Sequence, residues 1–107
     1  MVSLIRDYAG RGPTQARTTI GRDTVTVVLS DTLTRGERRL VEHGEGEHVL
    51  RTRHKIQMMM RDQAVALVES ALDRKVVAFM SDNHIDPDVA AEIFVLESQG
   101  AAQQSDS

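Results

Sequence analysis

The chain is 107 residues long, with a formal net charge of -3, 40% hydrophobic residues and no cysteine. That length suits one small domain, the missing thiols exclude disulfides and thiolate metal sites, and the acidic balance argues against sequence-independent nucleic-acid binding, which rests on many cations neutralising phosphates. No apolar run has the length of a secretory signal or a bilayer span, so a soluble, cytoplasmic protein without membrane insertion is expected.

In chain order, Val2, Leu4, Ile5 and Tyr8 can line one side of a short N-terminal helix that Gly10 ends. The stretch Tyr8-Ala9-Gly10-Arg11-Gly12-Pro13-Thr14 comes next. Pro13 fixes its own φ and biases Gly12 towards extended backbone, so this is a specified turn that displays Arg11 and the Thr14 hydroxyl. Residues 15–20 are rich in β-branched side chains, residues 24–30 alternate and then run apolar, and Gly21-Arg22-Asp23 lies between them. This pattern predicts a β-hairpin. Thr34-Arg35-Gly36-Glu37 has capping-box spacing and predicts a short helix to about His43.

Gly44 and Gly46 break that helix, and a long one is expected from near Glu47, with Leu50, Ile56, Met60, Ala64, Leu67, Val68, Ala71 and Leu72 forming its apolar stripe. Met58-Met59-Met60 wraps beyond a single stripe, and methionine adapts to irregular partner surfaces, which favours a homodimer through this region. Residues 75–80 read as a strand, residues 81–88 as a polar loop containing Pro87, and residues 89–96 as a last strand. The tail 98–107 has no apolar residue larger than alanine and is expected to be disordered, leaving one domain over residues 1–97. The order α-β-β-α-α-β-β predicts an α+β two-layer sandwich, a mainly antiparallel four-stranded sheet covered by one long helix.

Chemical motifs are sparse. Asp82, His84, Asp86 and Asp88 alternate on a short span and are weak metal candidates, but the EF-hand glycine and distal glutamate are absent, and such residues are ordinary in turns. His43, His48 and His54 do not form a His-Glu-x-x-His pair and read as surface residues. There is no Gly-x-Ser-x-Gly turn, and Gly10-Arg11-Gly12-Pro13-Thr14 matches neither the Walker A nor the dinucleotide fingerprint. No catalytic residue and no cofactor are expected. The turn residues Gly10, Arg11, Gly12, Pro13 and Thr14 remain as a candidate recognition surface, set against a plain structural role.

Helix-strand-strand-helix-helix-strand is also the order of a type II KH domain, whose helix junction clamps the nucleotide backbone with Gly-x-x-Gly. Here the junction is Gly44-Glu45-Gly46, one residue short and carrying a carboxylate, so RNA binding is the alternative, with Arg35, Arg38 and Arg39 as its support. A small-molecule or metal-binding regulator is a third reading.

The chain resembles the MpsC-like family, also called YbcI-like, over roughly residues 4–96. The resemblance rests on Tyr8-Ala9-Gly10-Arg11-Gly12-Pro13-Thr14 after a short helix, the hairpin, Leu33-Thr34 before a short helix, and the long helix. Lys75-Val76-Val77 leading to Ser81-Asp82, and Ala91-Glu92-Ile93-Phe94-Val95-Leu96, complete it. The Gly44-Glu45-Gly46 junction and the His84-Ile85-Asp86-Pro87 loop depart from the family pattern. The resemblance implies a small bacterial accessory protein acting through a protein partner, in some bacteria a membrane transport complex that generates membrane potential and supports inorganic-carbon uptake. It brings no catalytic residues.

Overall fold

The computed structural model describes residues 15–98. The predicted N-terminal helix, the Gly10 to Thr14 turn and the tail beyond residue 98 lie outside the described residues. The elements are β1 (Gln15–Ile20), β2 (Thr24–Ser30), α1 (Arg35–Glu42), α2 (Gly46–Leu72), β3 (Val76–His84) and β4 (Val89–Leu96). All neighbouring strands are antiparallel and lie in the order β1-β2-β4-β3. The predicted α+β class and covering helix are therefore found.

Local chemistry sets the element boundaries. The β1–β2 turn is closed by Gly21 N donating to Thr24 O at 2.8 Å. The capping box forms as its spacing requires: Glu37 N donates to Thr34 Oγ1 at 3.1 Å, and Thr34 N donates to Glu37 Oε1 at 2.7 Å. Gly44 ends α1 at φ 82°, a left-handed conformation that favours glycine. There Gly44 N donates to Val41 O and Glu45 N to Leu40 O, the two bonds of a Schellman motif. The helix junction is thus a helix cap. A Cβ on Gly46 would come within 3.3 Å of Ile85 Cδ1, so the start of α2 lies close against the β3–β4 loop.

Val25, Val27 and Leu29 of β2, Ala90, Phe94 and Leu96 of β4, and Met60, Ala64 and Val68 of α2 form the apolar core. Phe79 and Phe94 meet across β3 and β4 with ring centroids 5.0 Å apart. Two expectations need correction. The strand predicted over 75–80 continues to His84, because Ser81, Asp82, Asn83 and His84 pair with Glu92, Ala91, Ala90 and Val89. A loop reading from polarity misses this, since backbone pairing is indifferent to side-chain polarity once period two separates the faces. The second concerns α2, whose buried residues are Val49, Arg53, Gln57, Met60, Ala64 and Val68. The predicted stripe veers off this row because it passes over Arg53 and Gln57; Leu67 is 48% exposed instead.

Candidate functional site

The first half of α2 is buried by polar contacts. Arg53 and Gln57 lie four residues apart on the face that continues into Met60 and Ala64, so the helix turns both side chains towards the sheet. Arg53 is only 8% exposed. Its Nε donates to Glu37 Oε2 at 3.1 Å and its Nη2 to Glu37 Oε1 at 3.0 Å, a bidentate pairing, while Nη2 also donates to the Thr32 carbonyl. Gln57 and Asn83 exchange amide bonds: Gln57 Nε2 donates to Asn83 Oδ1 at 3.1 Å, and Asn83 Nδ2 donates to Gln57 Oε1 at 3.0 Å. Glu37 therefore serves the α1 cap and Arg53 together, linking α1, α2 and β3.

Beside this network lies a cavity of about 50 Å³, walled by Leu29, Ile56, Met60 and Ala90 and bordered by Thr32, Glu37, Arg53, Gln57 and Glu92. Its size suits one to a few water-sized groups. Glu92 is 1% exposed and sits in phase with Ala90, Phe94 and Leu96 on the core face of β4. Burial pushes its carboxyl up to about 7, because desolvation disfavours the charged form. Glu92 Oε2 and the Oγ of Ser81, its cross-strand partner, are both buried without a hydrogen bond among the described residues. The site thus holds a carboxyl that changes charge near neutrality in a small, mainly apolar chamber.

A second polar knot closes the same end of the molecule. Asp88, at the end of the β3–β4 loop, accepts from Thr32 Oγ1 at 3.0 Å, from Leu33 N at 2.9 Å and from Arg38 Nη2 at 3.1 Å. Arg38 is thereby engaged by carboxylates, with Asp31 also 3.8 Å away, while Arg35 and Arg39 are exposed. At the far end, Arg74 donates to the carbonyls of Arg22 and Glu97 and to Asp23 Oδ1, tying the first turn to the end of β4.

The predicted site residues are dispersed. Asp82 projects from the face opposite Ser81 and Asn83, and its Oδ1 accepts from Asn83 N at 2.8 Å. His84 Nδ1 lies 2.9 Å from Pro87 O, and Asp86 is exposed. Asp88 is the member of that run turned to a specific task. Among the described residues, no three His, Asp or Glu side chains come together in a group that could hold a metal ion. His43, His48 and His54 are exposed. Sequence reasoning missed Arg53, Gln57, Asn83 and Glu92, and singled out Asp88 only as a weak metal candidate; the available signals were polar residues in helical register with Met60 and a glutamate in strand register with Phe94.

A family model described as "Na+-translocating membrane potential-generating system (MpsC)" matches residues 1–98. No curated protein and no solved structure matches the chain. Among the described residues, no helix is long and apolar enough to cross a membrane.

Proposed function

The chain belongs to the MpsC family, and from that premise we propose that it is a non-enzymatic accessory protein of a Na+-translocating, membrane-potential-generating system. It works at the cytoplasmic face by binding another protein, and its working unit is a homodimer. The family match across residues 1–98 carries this reading. The polar network supports it, because the Arg53 guanidinium is spent on Glu37, the Thr32 carbonyl and Asn83. Such a buried, mutually satisfied cluster holds elements in place. The Gly10 to Thr14 turn is proposed as the recognition surface, with Arg11 offered to a carboxylate of the partner.

The test is affinity capture of the tagged full chain from native membranes solubilised in mild detergent. Subunits of the membrane system should co-purify with the wild type, and Arg11→Ala should reduce their recovery at unchanged melting temperature. Capture without any membrane-system subunit overturns the reading; equal capture by Arg11→Ala removes the turn from it.

A further inference from the structure

The face of the sheet turned away from α2 has an unusual composition. An antiparallel sheet with one solvated face normally alternates apolar inside and polar outside. In β4 both faces are apolar apart from one residue: Ala90, Phe94 and Leu96 point into the core with Glu92, while Val89, Ala91, Ile93 and Val95 point outward. Val28 of β2 and Met80 of β3 extend this apolar centre, and Met80 is 51% exposed. A central strand that is apolar on both sides is the pattern of a strand covered on both sides.

The strand register says what fits there. Residues 17, 28, 91 and 82 form one row across all four strands: Arg17 pairs with Val28, Val28 with Ala91, and Ala91 with Asp82. The row therefore begins with a cation at the β1 edge and ends with an anion at the β3 edge, and both residues are exposed. A two-fold axis parallel to the strands, running between β2 and β4, sets β1 of one copy over β3 of the other without shifting the rows. Arg17 of each copy then faces Asp82 of the other, and Val28 faces Ala91. Two sheets can pack this way with their strands nearly aligned, about 10 Å apart.

We propose that this outer sheet face is a self-complementary, two-fold interface with a second copy of the chain, its half-buried apolar centre flanked by two reciprocal Arg17–Asp82 pairs. The face measures roughly 19 by 22 Å from strand spacing and rise, about 400 Å² in projection per copy. A standard stable interface buries about 800 Å² per partner, so the dimer is reversible. The charged pairs at its rim fix orientation more than they add affinity.

This surface deepens the homodimer reading above, and the two can fail separately: a monomer that still captures membrane subunits keeps the accessory role and loses this interface. Sedimentation of the full chain should show average mass rising from one chain towards two between about 1 µM and 1 mM. Arg17→Asp alone and Asp82→Arg alone should each weaken association about tenfold, because each sets like charges face to face. An equimolar mixture of the two variants should recover it, since each heterodimer restores two opposite-charge pairs. If Asp82→Arg disturbs β3, seen as a lowered melting temperature, Arg17→Asp by itself still decides. A chain that stays monomeric throughout, with the face open or covered by its own residues, overturns the proposal. So does a dimer indifferent to Arg17→Asp, or one that Met58→Glu and Met59→Glu dissolve instead, which would place the contact on the exposed side of α2.

Discussion

Along one face of α2, Arg53 and Gln57 reach Glu37, Thr32 and Asn83 through directed hydrogen bonds, whereas Met60, Ala64 and Val68 join Val25, Val27, Phe94 and Leu96 through shape alone. The same helix row thus changes character about halfway along. Apolar contacts supply burial and accept neighbours of similar volume, so they fix the position of a helix loosely. The polar half works differently, because each member loses a specific partner if the helix rotates or slides, and an orphaned buried group is costly. Burial at one end and direction at the other together hold α2 in a single register on the sheet.

Substitutions should expose that division. The largest loss is expected for Phe94→Ala in the apolar half: the side chain is fully buried, and its removal should cost about 4 kcal/mol in denaturant unfolding. A cost under about 1 kcal/mol would show that the pocket collapses readily and that this half packs loosely. Next, Arg53→Ala should cost about 3 kcal/mol, because it strands Glu37 at a mostly buried site. Unlike Phe94→Ala, its effect should be strongly non-additive with Glu37→Ala; a coupling near zero would mean that the network contributes no direction.

Glu92 gives the smallest effect near acid pH and one of opposite sign above neutrality. Its folded carboxyl titrates at about 7, above the ordinary value of 4.5, so the folded chain holds a proton that the unfolded chain has released between these values. Stability should therefore be unaffected by this group below pH 4.5 and fall as the pH rises from 4.5 through 7. Glu92→Gln removes that cost. It should match the wild type near pH 4.5 and exceed it by up to about 3 kcal/mol at pH 8. Parallel stability curves for the two proteins across this range would refute a desolvated Glu92.

The hairpin, the α1 capping box, the long helix and the last strand follow from signals confined to a few neighbouring residues. Thr34 and Glu37 recognise each other three positions apart, and Gly21 closes a turn on Thr24, so these elements are legible along the chain without any distant partner. The extension of β3 through Asn83 was hidden because its residues carry loop chemistry and become a strand only when β4 lies beside them. The tertiary structure alone decided that Asp88 would hold Thr32 across 56 residues, that Arg53 would meet Glu37, and that a glutamate would lie under Phe94's face of β4. It also set Arg17 and Asp82 at opposite ends of one row. Local propensity is fixed by bonds within a turn or two, whereas these pairings depend on which distant segments the hydrophobic collapse brings together and in which register the strands lock.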